Sequence, residues 1–559
     1  MRKTGMSLLA VFALVTGVFA QEYLASGWTK TFGQTTHPGS PYDVVVTQAV
    51  SAGWDIDQDG NKEFIVLSDH SNPNGGGPEY PTGCSVWLYE DNGSGGFDLA
   101  WSWYDTTLYT GGASFPVHAV ADLDGDGNAE IVVGVPYGTG NPPDGSNPRR
   151  FYVWEGPTLP ADGTPTATWN FDVSVGSNTR PSGIAVDDID GDGTQEVALA
   201  FRKFSDAVGN DAMMIFSLNG AFAGDFTSWN IEALDSTSDV GSVYSATISD
   251  VDNDGNKEAF FATDYGVFFE AAGADTYNET DQFMLQGMDG DLWALQATAS
   301  FDIDGDGDEE LVVSPWSGNV DIISGVADLA SADSSDVSRI NTISGGTRGM
   351  AVGDFDNDGL GEIFVGNNYN SSVWRIDYVS GDVHDSASYT VPELIYQADT
   401  SGSVRTYSVA FGGADMNGGQ YADLTGDEFP ELVIGHEDGD TTATQYVVVL
   451  SSDESLAISS DFGAPVLETY RLSQNYPNPF NPSTTINFSL SKAGDVKLHI
   501  FDLTGRLINT LVSEFRPAGD YSVRWDGRDA NGQVVASGTY LYKLQVNGAT
   551  LSKQMTLIK

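Results

Sequence analysis

The residues with the clearest chemical potential in this chain are acidic and come in repeated sets. Asp188-Ile-Asp190-Gly-Asp192-Gly193-Thr-Gln-Glu196 sets the pattern, with carboxylates at positions 1, 3, 5 and 9 and glycine at position 6. Five further copies keep all of these: Asp55, Asp57, Asp59 and Glu63; Asp122, Asp124, Asp126 and Glu130; Asp250, Asp252, Asp254 and Glu258; Asp302, Asp304, Asp306 and Glu310; Asp354, Asp356, Asp358 and Glu362. A seventh copy is degraded, with Asp423, Thr425, Asp427 and Glu431 at the ligand positions and Glu428 where glycine stands elsewhere. Carboxylates on alternate residues can surround one hard cation such as calcium, which takes six to eight oxygens, if the backbone turns sharply. Glycine at position 6 permits that turn without a Cβ clash. One such stretch could be an acidic surface turn. Seven of them, spaced 52 to 69 residues apart, predict a set of up to seven calcium sites.

The first half of each set resembles an EF-hand loop, in which the closing Glu stands at position 12. Here Glu closes at position 9 and β-type residues follow at once, as in Ile131-Val132-Val133, Leu311-Val312-Val313 and Ile363-Phe364-Val365. The loops must therefore join two strands. A short apolar strand leads into each loop (Ile184-Ala185-Val186, Met350-Ala351-Val352), another leaves it, and one or two more follow. Repeats of this length mean stacked or radial units, and three or four strands repeated seven times predict a seven-bladed β-propeller. Tyr23 to Phe32 is expected to close the ring beside Gln445 to Leu450. Gly/Pro/Asn-rich inserts such as residues 72–82 and 138–148 read as surface loops.

Composition agrees with an all-β chain: 559 residues, 65 of them glycine, 40% hydrophobic and 11% aromatic. The formal net charge of −55 excludes nucleic acid as a partner, because the phosphate backbone demands cationic protein. Residues 466–559 carry ten Lys and Arg against seven Asp and Glu, so this end is +3 and residues 1–465 hold −58. Arg2 and Lys3, the apolar run Met6 to Val18, and Val18-Phe19-Ala20 predict a signal peptide over residues 1–20. No later run is apolar enough for a transmembrane helix. The single cysteine, Cys84, rules out an intramolecular disulfide and is expected to be a buried thiol.

The repeats resemble FG-GAP (VCBS-type) repeats, the family that builds the integrin α-chain propeller. That resemblance implies the propeller fold and calcium in the loops, although the family commonly ends its loop in Asp where this chain has Glu. The propeller is expected over residues 21–460, with a Pro-rich linker and leading strand over 461–484 and a small immunoglobulin-like β-sandwich over 485–559. Strands are expected at Thr485–Ser489, Val496–Asp502, Gly519–Trp525, Gly538–Val546 and Ser552–Ile558. Asn475-Tyr476-Pro477-Asn478-Pro479-Phe480, Val496-Lys-Leu-His-Ile-Phe-Asp502-Leu-Thr-Gly505, Gly538-Thr-Tyr540 and the basic end Lys553…Lys559 carry a second resemblance. They resemble the type A sorting domain of the type IX secretion system, and also FlgD-like immunoglobulin modules. The first implies passage through the outer membrane by the type IX machinery, and a product that is secreted or attached to the cell surface.

No G-x-S-x-G elbow, P-loop or H-E-x-x-H motif occurs. His37, His70, His384 and His436 are expected in loops or near turns, in solvent. The tryptophans could stack on sugars, but at propeller positions they are expected to fill the space between blades. One cluster is of a different kind: His118, Arg180, Tyr244, Arg348 and Arg405 lie at the starts of innermost strands, on the face opposite the acidic loops. Either they pair with local acids, or they form a basic, aromatic-edged mouth for a carboxylated ligand, a task suited to the planar guanidinium fork. Together these features favour a binding or adhesion module for a glycan or protein. The alternative is a polysaccharide-active, lyase-like enzyme using the channel mouth, for which no convincing base is identified.

Overall fold

In the computed structural model the described residues are 22–34, 46–69, 84–104, 116–135, 151–169, 180–203, 211–218, 229–236, 243–263, 266–280, 295–315, 317–326, 336–343, 346–356, 358–367, 371–398, 405–411, 423–427, 429–437, 445–453, 471–472, 480–490, 494–502, 506–517, 519–528, 533–546 and 549–558. The expected signal peptide, the inserts at 72–82 and 138–148, and Glu428 lie outside them. The chain divides into two compact units, Met1–Ser459 and Ser460–Lys559.

The first unit consists of antiparallel blades of four strands, each built around one acidic loop, and a bridge between Glu437 and Val46 joins the seventh blade to the first in one eight-stranded sheet. Blade 1 comprises Val46–Trp54, Glu63–Asp69, Cys84–Asp91 and Phe97–Tyr104; blade 2, Val117–Ala121, Glu130–Gly134, Phe151–Glu155 and Ala167–Trp169. Blade 3 comprises Arg180–Asp187, Glu196–Lys203, Ala212–Leu218 and Trp229–Asp235; blade 4, Ser245–Ser249, Glu258–Ala262, Val267–Gly273 and Thr276–Glu279. Blade 5 comprises Leu295–Phe301, Glu310–Pro315, Asn319–Ile323 and Val337–Thr342; blade 6, Thr347–Gly353, Glu362–Asn367, Ser372–Asp377 and Glu393–Gln397. Blade 7 takes Arg405–Phe411, Glu431–Glu437 and Val447–Ser452 from the end of the unit and Trp28–Gln34 from its beginning. The seven first strands neighbour one another in a closed ring, so the fold is a seven-bladed β-propeller. Among the described residues the helical content is one 3-10 turn, Ser386–Ser388, and no helix is long and apolar enough to cross a membrane.

Ring closure differs in one detail from the expectation. Trp28–Gln34 completes blade 7 against Val447–Ser452, but Tyr23–Leu24 pairs with Tyr396 and Gln397 as a fifth strand on blade 6. The turn at Gly27, with φ of 94°, redirects the chain between the two blades. The N-terminal segment thus binds both, and Lys30 holds Glu22 in an ion pair at 2.5 Å.

The core lies between blades. Seven buried clusters each draw on two neighbouring blades, and the one joining Val50, Phe64 and Trp87 of blade 1 to Val433, Tyr446 and Val447 of blade 7 completes the circle. A blade wedged between two others has both faces covered. Its second strand therefore reads as an uninterrupted apolar run, and Ile131, Val132 and Val133 are all fully buried. Tryptophans supply much of this filling: Trp87, Trp154 and Trp169 are completely buried. Near the axis the spacing tightens, and a Cβ on Gly183 would lie 2.4 Å from the Ser245 Cα of the next blade.

The second unit has two sheets, Arg471–Leu472, Thr484–Leu490 and Gly519–Trp525 in one, and Leu507–Arg516, Gly494–Asp502, Gly538–Val546 and Ala549–Leu557 in the other. Phe480, Ile486, Phe488, Leu498, Trp525 and Tyr542 are among its core residues. The ten-residue strand Leu507–Arg516 was not among the expected ones.

Candidate metal centre

Each acidic loop leaves the end of an innermost strand and enters the second strand of the same blade. Position 2 carries an apolar residue in all seven loops. These residues (Ile56, Leu123, Ile189, Val251, Ile303, Phe355 and Leu424) are at most 2% exposed and pin the loop into the interblade core. The first Asp then organises the turn. Its Oδ2 accepts the position-6 glycine N–H at 2.9 to 3.2 Å in the first six loops. The position-5 Asp accepts the position-7 N–H at 2.8 to 3.0 Å in all seven. Two positions need left-handed backbone. Glycine at position 6 has φ of 90° to 102°, and position 4 has φ of 57° to 74° in the six loops where it is described, held by Gln58 and Asn253 in two and by glycine in four.

The closing Glu is the central feature. Glu63, Glu130, Glu196, Glu258, Glu310, Glu362 and Glu431 are all 3% exposed or less. Each accepts the position-2 N–H through Oε2 at 2.7 to 2.9 Å. The Oε1 atoms of Glu63, Glu130 and Glu258 are buried and have no hydrogen-bond partner among the described residues. An ionised carboxylate left in this state is costly. Burial, reinforced by the neighbouring Asp charges, accordingly pushes six of these carboxyls up to about 8, and Glu362 also rises well above its ordinary value. One ligand oxygen from each of Asp55, Asp57, Asp59 and Glu63 lies within 4.8 Å of the others, and Asp250, Asp252, Asp254 and Glu258 form an equal group. Two smaller groups are Asp122, Asp124 and Glu130, and Asp188, Asp190 and Glu196. The all-oxygen, multiply charged donor set suits a hard divalent cation, and the open Glu oxygen is the atom such an ion would satisfy. These acidic clusters could hold metal ions.

The seventh loop keeps the frame with fewer donors. Asp423 Oδ1 accepts three successive N–H groups, from Thr425, Gly426 and Asp427 at 3.2, 2.7 and 3.3 Å. The Thr425 Oγ1 is buried without a hydrogen-bond partner among the described residues.

Some acids in the loop environment escape the nine-residue pattern. Glu90, Glu155, Glu270 and Asp377 stand on third strands directly opposite the closing Glu of blades 1, 2, 4 and 6. Glu155 groups with Asp124 and Asp126, and Glu90 accepts from Asn61 at 3.0 Å. Neighbouring loops are also bonded to one another. The position-8 N–H groups of Lys257 and Gly361 donate to the position-2 carbonyls of Ile189 and Ile303 in the preceding blade, at 3.3 and 2.8 Å. Gln58 reaches Asn128 of the next loop at 3.0 Å, and Asn253 bonds to Asp308.

The opposite strand ends carry the cationic candidates at differing depths. His118 stands three residues before the strand's last residue, Ala121. Tyr244 precedes the strand ending at Ser249, Arg348 precedes Gly353 by five, and Arg180 and Arg405 begin their strands. His118 is buried and its Nε2 lies 2.8 Å from Ser51 Oγ. Desolvation lowers it to about 4, so it is a neutral imidazole and adds no charge to a mouth. Arg348 and Tyr244 are half-buried and both interact with neighbours. The side chains of Arg180 and Arg405 lie outside the described residues. His436 corrects the expectation of a solvated ring: the strand Glu431–Glu437 runs through it, and it is fully buried against Tyr396, with ring centroids 5.6 Å apart. Cys84 is a buried thiol, in no disulfide, as expected.

Two family models match parts of the chain, the FG-GAP-like repeat over residues 55–133 and the FlgD Ig-like domain over residues 478–550. No curated protein matches. Among solved structures, PorZ, a bacterial surface component of the type IX secretion system of Porphyromonas gingivalis, is 16% identical with a TM-score of 0.39, covering 89% of this chain and 58% of its own. This chain therefore spans little more than half of that structure. The rhamnogalacturonan lyase YesW is 16% identical with a TM-score of 0.41, and a Bacillus licheniformis rhamnogalacturonan lyase 15% with 0.39; each match covers 77% of this chain and 75% of the other. The chain thus carries FG-GAP-like and FlgD Ig-like matches on an all-β scaffold.

Proposed function

We propose that the protein is a calcium-stabilised propeller that works outside the cell, secreted or attached to the outer surface, as a binding or adhesion module for a glycan or protein. The observation that carries the metal assignment is the buried closing Glu, with one oxygen bonded to the position-2 amide and the other without a partner beside two or three Asp carboxylates. A bound calcium supplies the positive charge that lets these carboxylates ionise together. The chain's own part is to hold the first Asp and the closing Glu by backbone hydrogen bonds, so that the donors converge before the ion arrives. A disc pinned at one face by such sites presents a rigid opposite face, the arrangement expected of a recognition surface. Arg180, Arg348 and Arg405 are the residues we assign to an anionic ligand there.

The C-terminal sandwich is proposed to be the sorting module for the type IX machinery. Its FlgD Ig-like match and its compact core support this reading. The experiment is expression of the chain with and without residues 460–559 in a host that has this secretion system. Retention of the truncated, calcium-responsive propeller inside the cell supports the sorting role; normal surface display of the truncated chain refutes it. A glycan array run beside an absorbance assay on a polyuronide panel separates binding from lyase activity.

A further inference from the structure

The sixth acidic loop differs from the others in holding a buried cation of the protein's own. On the third strand of each blade, the residue two places before the one opposite the closing Glu faces a fixed register position. In the other blades it is Leu88, Val153, Ile215, Phe268, Ile322 or Val449, all buried apolar side chains. In blade 6 it is Arg375, only 8% exposed. Its Nη2 donates to Asp356 Oδ2, the ligand at loop position 3, at 3.2 Å, and its Nε donates to Asp377, opposite Glu362. The guanidinium carbon lies 5.8 and 5.9 Å from the ring centroids of Phe355 and Phe364, which hold the fork in place.

We propose that Arg375 is a resident counter-ion of the sixth loop, holding Asp356 in the metal-free protein and weakening divalent-cation binding at that loop. A guanidinium already bonded to one ligand must be displaced or tolerated beside a doubly charged ion, and either lowers affinity. The same contact keeps blade 6 ordered when the other loops are stripped. This inference rests on the calcium reading above.

The test is hydrogen exchange with mass spectrometry on the full chain, in EGTA and across a calcium titration, comparing peptides over residues 302–323 and 354–377. In wild type, the loop-5 peptide is expected to lose protection in EGTA and regain it with calcium, while the loop-6 peptide stays protected and changes little. In Arg375→Leu, which installs the side-chain type of the other blades, loop 6 should become calcium-dependent, with a midpoint roughly tenfold or more below any residual wild-type response. Arg375→Lys, which keeps the charge without the fork, should fall between them. Loops 5 and 6 opening together in wild-type EGTA samples, and closing at the same calcium concentration, would overturn the inference while leaving the calcium reading intact. This wild-type comparison holds even if the Leu variant fails to fold. If neither peptide responds to calcium, the metal reading fails and this inference with it.

Discussion

The closing Glu can be tested by making it neutral without changing its shape. In Glu258→Gln the amide oxygen can still accept the Val251 N–H, now made at 2.9 Å, while an NH2 group takes the place of the unpartnered Oε1. The consequence should have opposite signs in the two metal states. With calcium at about ten to a hundred times Kd, one site adds roughly 1.4 to 2.7 kcal/mol of stability, and losing the charged ligand should forfeit most of that. In chelator at pH 8 the wild-type side chain is a buried acid that burial and Asp250, Asp252 and Asp254 have pushed up to about 8. Ionising it there is unfavourable. Gln removes that penalty and can donate to the same Asp side chains. The variant should therefore melt below wild type in calcium and at or above it in EGTA. Paired calorimetric scans read the crossing directly. Equal destabilisation in both buffers would show that Glu258 is only a structural hydrogen-bond acceptor, and the reasoning about all seven closing residues would fall.

Other outcomes follow from the same geometry. The metal-free protein should gain stability on acidification: the closing Glu carboxyls are raised to about 8 in the fold, so their contribution is full below the unfolded value near 4.5 and is lost as pH rises through 8. Melting scans in EGTA from pH 5 to 8 should fall steadily, and a rise would contradict the assigned burial. Gly193→Ala should cost about 1–2 kcal/mol through its φ of 93° alone, since a Cβ there meets nothing within 4 Å. Gly183→Ala should cost more, because its Cβ collides with the Ser245 backbone; urea titrations rank the two. Removing residues 22–34 should open the ring by stripping the outer strands from blades 6 and 7, giving a lower melting temperature and self-association through the bared Val447–Ser452 edge, seen by size-exclusion chromatography.

The propeller was legible in the sequence because each repeat writes its turn chemistry and its strand together. Three carboxylates, a glycine and a following apolar run place the loop, the strand it enters and the blade in one short stretch. The apolar position 2 repeats just as faithfully, but an apolar residue between two acids carries no chemical signal by itself, and only the structure shows Ile56, Val251 and Phe355 anchoring their loops in the core. Glu90, Glu155 and Asp377 could not be found by linear spacing. The inserts between second and third strands vary in length, so Glu63 and Glu90 are far apart in sequence while Glu362 and Asp377 are close, yet both pairs face each other across the ladder. Register, which fixes the partner, is set by pairing and not by sequence distance. The same holds for Arg375, whose role appears only once Phe364 is opposite it. His436 reads as a solvated ring because it sits beside acidic turn residues, yet the strand continues past it to Glu437. In the sandwich, the edge strand Leu507–Arg516 leaves Leu507 50% and Phe515 66% exposed, which blurs the alternation that reveals a half-buried strand.

The central claim is that the acidic loops are metal sites, and the most direct measurement is the amount of calcium the chain holds. Equilibrium dialysis of the full chain against calcium at pH 7.5, with bound ion counted by mass spectrometry and a melting scan of each sample, reads occupancy and stability together. The account predicts several ions per chain, with seven loops as the ceiling, and a melting temperature that climbs with occupancy and collapses on EGTA. Less than one ion bound at millimolar calcium, with the same melting curve in EGTA, would contradict it.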